Sequence, residues 1–195
     1  MKNRLLALTA AGISVAAAFL MGACGGGGSS KTEPDIEITE NAYVHDPSVF
    51  YDEKSGTYYA FGSHFAVASS KDLVNWHQET TDGVSGATML YGTSNWRSVL
   101  AKSDALVGGT ENTWAPDVEY YNGKYYMYYS LTRGFGGPVS VIGRVESDNV
   151  LGPYSNEVII VDGASSTSLN KPNCIEPELF YDKDGGLWMV YGSYY

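Results

Sequence analysis

Residues 44–63 read VHDPSVFYDEKSGTYYAFGS, and residues 174–193 read CIEPELFYDKDGGLWMVYGS. Each sets a carboxylate, Asp46 or Glu176, directly before proline, then a β-prone run ending Phe-Tyr-Asp, a turn, and an aromatic strand ending Gly-Ser. A looser version, residues 115–130 (APDVEYYNGKYYMYYS), lies between them, with Tyr121-Asn122 in the place of Tyr51-Asp52 and Tyr181-Asp182. The anchors Asp52, Asn122 and Asp182 stand 70 and 60 residues apart. Repeats of that size, each a set of short strands, predict an all-β chain built from blades of a β-propeller.

Outward from these anchors the pattern is strand, turn, strand. The first unit predicts strands over 48–51, 57–62 and 65–69, closed by a turn and tryptophan in SKDLVNW. The second carries a tight Asn122-Gly123 turn between strands over 118–121 and 124–130, then a third strand over 139–146. The third unit begins at Asn173 with two strands. Residues 78–109, with five glycines in weakly periodic sequence, read as a long connection with a helical turn near 96–102. Two and a half units cannot close a ring of at least four blades, which predicts that these residues are a fragment of a longer chain.

The chain opens with Lys2 and Arg4, an apolar run over 5–20, and Met21-Gly22-Ala23-Cys24. That is a secretory signal, too short in its apolar core to span a membrane. Its last four residues are similar to a bacterial lipoprotein box, with methionine in place of leucine, so residues 1–24 are expected to be removed and Cys24 lipidated. The alternative is an ordinary cleaved signal with an incidental cysteine. Residues 25–40, starting GGGGSS, predict a flexible tether, and 41–195 the domain proper. The expected location is an exported lipoprotein, anchored to a membrane at the periplasmic or cell surface. With Cys24 lipidated, Cys174 is the only thiol left and no disulfide forms within the mature chain.

Loss of Lys2 and Arg4 with no acid takes the formal charge from -10 to -12. Such a chain repels phosphate backbones, which excludes nucleic acid as a partner. Its 16 tyrosines and 4 tryptophans suit sheet cores, and they also suit the C–H faces of sugar rings. His45, His64 and His77 lack metal-ligand spacing and read as packing or surface residues, unless His45 shapes a site beside Asp46. Cys174 has no nearby histidine and is not read as a nucleophile, and GFGG at 134–137 is no phosphate loop.

The motifs VHDPSVF, TYYAFGSH, SKDLVNW, NTWAPDVEYYNGKYYMYYS and NCIEPELFYDKDGGLWMVYGS, in this order over residues 43–195, closely resemble glycoside hydrolase family 43. The match is nearest to its extracellular endo-arabinanases. The resemblance implies a five-bladed propeller, here about two and a half blades, and hydrolysis of α-1,5-L-arabinan with inversion. Inverting chemistry needs a base that activates water and an acid that protonates the leaving oxygen, about 6.5–9.5 Å apart. By resemblance Asp46 is the general base. Glu176 holds the place of a pKa-tuning aspartate in Asn-x-Ile-Asp-Pro, one methylene longer than the family pattern.

The family's general acid is a glutamate in the next blade, past Tyr195, so these residues alone are expected to be inactive. Trp114, Asp117, Gly136, Asn173, Ser193, Tyr194 and Tyr195 match positions near the family's sugars. The family's calcium sits in the central channel on a histidine that would also lie past Tyr195. No cofactor or metal ligand is therefore assigned here, calcium being expected only for the full-length protein. The rival readings are a non-catalytic carbohydrate-binding surface lipoprotein, or a β-xylosidase or arabinofuranosidase of the same family. The shared expectation is that Asp46 and Glu176 meet at one central opening.

Overall fold

The computed structural model describes residues 37–80, 84–109, 113–163 and 173–194. The signal, Cys24, Tyr195 and most of the expected tether lie outside them. Three antiparallel sheets follow in chain order. The first holds β1 (Ser48–Asp52), β2 (Thr57–Phe61), β3 (Val67–Ser70) and β4 (Trp76–Thr80), in the order 1-2-3-4. The second holds β5 (Thr113–Tyr121), β6 (Lys124–Thr132), β7 (Ser140–Ser147) and β8 (Ser155–Asp162), again in sequence order. The third pairs β9 (Ile175–Tyr181) with β10 (Leu187–Gly192).

Turn chemistry sets the registers. Asn122 and Gly123 both take positive φ, 51° and 84°, the pair a two-residue type I′ hairpin needs. At the β1–β2 turn the Asp52 side chain accepts the Ser55 N–H at 3.1 Å and its carbonyl accepts the Gly56 N–H at 2.8 Å. The other oxygen of Asp52 accepts the Tyr125 hydroxyl at 2.7 Å, so this turn residue also ties the first sheet to the second.

The stretch read as a long connection with one helical turn holds the end of a strand and three helices, two of them where the turn near 96–102 was expected. β4 runs to Thr80, and α1 (Val84–Tyr91), α2 (Trp96–Val99) and α3 (Ala101–Val107) follow. Ala87, Leu90, Tyr91, Trp96, Leu100 and Val107 are all buried against the sheets, at near-helical spacing. The glycines that obscure this periodicity do structural work. A Cβ at Gly86 would lie 2.3 Å from the Phe65 carbonyl oxygen, and Gly108 ends α3 in the left-handed conformation. Glu157 of β8 holds α3 in place, accepting the Lys102 and Ser103 N–H groups at 2.6 and 2.9 Å and the Tyr129 hydroxyl at 2.7 Å.

Aromatic residues fill the space between the first two sheets. Tyr59, Tyr125 and Tyr129 are buried there, and Tyr126 and Tyr128 pack with Leu179 toward the third sheet, as the tyrosine runs suggested. Tyr58 is only half-buried. The end of the expected tether is paired to the first sheet. Thr39 N–H donates to Asn75 Oδ1 at 2.8 Å, and Glu40 contacts His77 Nδ1 at 2.7 Å. The β9–β10 hairpin exposes Phe180, Tyr181, Trp188, Val190 and Tyr191, and β1 exposes Val49 and Tyr51.

Three turn aspartates titrate below the ordinary carboxylate range. Asn75 side-chain and backbone donors lower Asp72, and the Trp188 indole and Gly186 N–H lower Asp182. Burial pushes Asp52 up, but the Ser55 and Tyr125 donors outweigh it and the net direction is down. A carboxyl lowered on folding stabilises the fold above its unfolded value of 3.8, and that contribution is lost as pH falls through the folded value. Asp52→Asn should therefore flatten the acid limb of the stability curve. Urea midpoints measured between about pH 5 and about pH 2 test this; an unchanged limb in the variant would refute the linkage.

Candidate functional site

The three sheets present matching strand heads. Asp46-Pro47 leads into β1, Ala115-Pro116 sits in β5 where its pairing shifts between Trp114 and Asp117, and Glu176-Pro177 starts β9. Each residue before proline has positive φ: 48° at Asp46, 34° at Ala115 and 55° at Glu176. Proline disfavours helical conformations in the residue before it, and a side chain at positive φ costs about 1–3 kcal/mol. The same strained kink at three equivalent places has one visible result. All three heads line a single cavity of about 320 Å³, with Ser48 and Glu178 beside them. Asp46 and Glu176, 130 residues apart in sequence, thus share one opening, as expected.

Asp46 is partly exposed, and its Oδ2 meets His45 Nδ1 at 2.7 Å and accepts the Ser63 hydroxyl at 2.9 Å. Ser63 Oγ in turn accepts the Ala115 N–H at 2.9 Å. Glu176 is fixed through its backbone, its N–H donating to Ser130 Oγ at 2.8 Å. Its carboxylate approaches Gly192, where an added Cβ would stand 3.4 Å from Oε2. Tyr194 reports both charges: burial pushes its phenol up, and Glu176 and Asp46 add to the shift. Nearby, burial raises Glu178 and Glu119, and the Asp117 charge raises both further.

A second cavity of about 410 Å³ adjoins His45 and Ser63 and is completed by Tyr43, His64, Ala66, Gln78, Trp114 and Phe135. The Trp114 indole is aimed by a 2.8 Å hydrogen bond to Thr132 Oγ1. Its ring meets His64 edge-on at 4.6 Å and Phe135 at 5.9 Å, and Phe135 reaches Tyr194 at 5.9 Å. Partly exposed aromatic faces in a row beside carboxylates form a surface on which sugar rings stack. Sequence reasoning found Trp114 and Tyr194 but missed Tyr43, His64, Gln78 and Phe135. Phe135 carried a signal: it is a large apolar residue inside the glycine turn RGFGGP, and it is 81% exposed.

Other residues expected near the sugars are tied into the fold. Asp117 is buried rather than facing the cavity, accepting the Ser48 hydroxyl at 2.5 Å, the Val118 N–H at 2.9 Å and the Leu179 N–H at 2.8 Å. It therefore joins all three sheets. Asn173 is likewise buried. Its Oδ1 accepts the Ser193 hydroxyl and Tyr194 N–H at 2.7 and 2.8 Å, and its Nδ2 donates to the Gly137 carbonyl at 3.2 Å. Gly136, at φ 66°, shapes the turn that carries Phe135. Ser193 and Tyr194 are exposed at the rim. Cys174 is buried, its N–H donates to Ser140 Oγ at 2.8 Å, and burial raises its thiol, which suits packing and not nucleophilic attack. Among the described residues no group of three or more His, Cys, Asp or Glu is placed to hold a metal ion.

Repeated antiparallel sheets bring two carboxylates to one cavity and aromatic faces to the cavity beside it, an arrangement suited to holding sugar rings in an all-β protein. The model of Glycosyl hydrolases family 43 matches residues 39–195, and the chain belongs to that family. It is 41% identical over 174 residues to extracellular endo-alpha-(1->5)-L-arabinanase 2 of Bacillus subtilis, a match covering 80% of this chain and 34% of that protein. The crystal structure of an endo-1,5-alpha-L-arabinanase from Thermotoga petrophila superposes with a TM-score of 0.71 at 37% identity, over 80% of this chain and 37% of that one. An alpha-L-arabinanase from Cellvibrio cellulosa, complexed with arabinohexaose, matches with a TM-score of 0.55 at 25% identity, covering 77% and 44%. The chain spans about a third of the length of the first two curated relatives it matches.

Proposed function

We propose that these residues are the leading part of a five-bladed propeller enzyme that hydrolyses α-1,5-L-arabinan with inversion. The observation that carries this reading is the shared cavity of Asp46 and Glu176, with Trp114, Phe135 and Tyr194 in a row by the cavity next to it. The exposed apolar residues of β9–β10 and β1 support a ring in which further blades pack on both open sides. In this reading Asp46 takes the proton of a water as its oxygen attacks the anomeric carbon. The bond to the leaving oxygen breaks while an acid from another part of the protein protonates that oxygen. His45 and Ser63 both engage Oδ2, so proton acceptance falls to Oδ1. Glu176 supplies the charge that tunes the site, and the aromatic row binds the chain of furanose rings. Export with lipidation at Cys24 completes the proposal; no step uses a metal.

Digestion of linear arabinan and of xylan by the full-length protein, followed by product sizing and early-time anomeric NMR, tests this reading. Short arabinooligosaccharides with inverted anomeric configuration are expected, and xylan should remain intact. Xylose release, or retained configuration, would overturn it.

A further inference from the structure

Each sheet repeats a serine at the same place in its second hairpin arm. The second strand of each unit and the residues after it read TYYAFGS, KYYMYYS and LWMVYGS, ending at Ser63, Ser130 and Ser193. In the first two sheets this serine does the same thing. Ser63 Oγ accepts the N–H of Ala115, the residue before Pro116 at the head of the next sheet, at 2.9 Å. Ser130 Oγ accepts the N–H of Glu176, the residue before Pro177 at the head of the sheet after that, at 2.8 Å. Both serines are fully buried.

The physical need for such a peg is local. The regular ladder breaks between Trp114 and Asp117, and again between Val190 and Gly192 opposite the β9 head. A bulge leaves backbone groups without ladder partners, and a buried N–H without an acceptor costs about 1–3 kcal/mol. Each serine satisfies that N–H and holds the strained positive-φ residue in place. Ser63 does more, because its own proton goes to Asp46 Oδ2 at 2.9 Å. One hydroxyl therefore couples the carboxylate of the first sheet to the head of the second. Ser130 then couples the second sheet to the head that carries Glu176.

We infer that Ser63 and Ser130 are positioning residues, each locking the strand head of the following sheet so that Asp46 and Glu176 face each other at a fixed separation. The inference rests on Asp46 being the base. The groups facing that carboxylate are His45 and Ser63 in contact, with Tyr194 close enough to feel its charge and that of Glu176 across the same cavity.

The test uses the full-length protein with Ser63→Ala, Ser63→Thr and Ser130→Ala, and Asp46→Asn as reference. Ser63→Ala should lower kcat on arabinooligosaccharides by roughly tenfold or more, with KM within about twofold, because a hydrogen bond to a charged group is lost. The acid limb of its pH–rate profile should move to higher pH, since a donor to the ionised form is gone. Ser63→Thr should restore both. Amide hydrogen exchange gives a readout without substrate: Ala115 should exchange faster in Ser63→Ala, and Glu176 in Ser130→Ala. Should Ser63→Ala not fold, Ser63→Cys takes its place and should show the same two changes to a lesser degree. A wild-type rate, pH profile and exchange pattern in the Ala or Cys variants would overturn the inference. If Asp46→Asn keeps turnover, the base assignment fails, while amide exchange still judges the serines independently.

Discussion

Asparagine in place of Asp46 should lower the proposed turnover of linear arabinan by about 10³-fold in the full-length protein, in line with the roughly 10²–10⁴ that a positioned base supplies. The amide is nearly isosteric, and it can still accept the Ser63 hydroxyl bond that Oδ2 receives at 2.9 Å. The head of β1 should therefore keep its shape and the variant should still bind arabinooligosaccharides within a fewfold of wild type. What disappears is an anionic oxygen able to take a proton from water. Steady-state kinetics paired with calorimetric binding check both halves. Turnover within tenfold of wild type would remove Asp46 from the chemistry, and loss of binding with loss of fold would make it a structural residue.

Alanine at Asp117 should cost about 3 kcal/mol or more of stability, because a buried carboxylate with three donors is lost. The donors belong to different sheets: Ser48 in the first, Val118 in the second, Leu179 in the third. Removing the acceptor leaves the Val118 and Leu179 N–H groups buried without it. Asp117→Asn keeps one acceptor oxygen and should lose roughly half as much. Burial raises this carboxyl despite those donors, so protonation favours the folded state. Its titration contributes stability that is present below the unfolded value of 3.8 and lost as pH rises through the folded value. The Asp117→Ala penalty should accordingly grow as the pH is lowered from 7 toward about 4. Denaturant midpoints at the two pH values decide it, and a loss under about 1 kcal/mol at either would contradict the role.

The strands and hairpin turns were legible because their signals are local. Asn122-Gly123 specifies its turn whatever surrounds it, and the recurring acid-Pro and Gly-Ser ends marked equivalent strand boundaries. Of the helices over 84–107 only the turn near 96–102 was legible, because two kinds of glycine mimic loop sequence. Gly86 is there for close approach to Phe65, and Gly108 for a helix stop. The fourth strand was given no place for a related reason: Trp76–Thr80 mixes one aromatic with polar residues, and its place as a strand depends on β3 beside it.

Asp117 and Asn173 show the limit more sharply. Polar residues next to a site have the same spelling whether they face a ligand or brace the fold. Burial and hydrogen-bond partners distinguish the two, and those partners are up to 69 residues away.

The order of residues by itself determined the repeat, the positions of the two pre-proline carboxylates and the aromatic strands behind them, since these depend on short-range propensity and spacing. Only the tertiary structure decided that Asp46 and Glu176 open onto one cavity, that Phe135 joins Trp114 and Tyr194 beside it, and that Ser63 and Ser130 accept the N–H groups at the heads of the neighbouring sheets. The reason is physical: a hydroxyl or carboxylate acts over about 3 Å, and which groups come within that reach is set by how whole sheets pack.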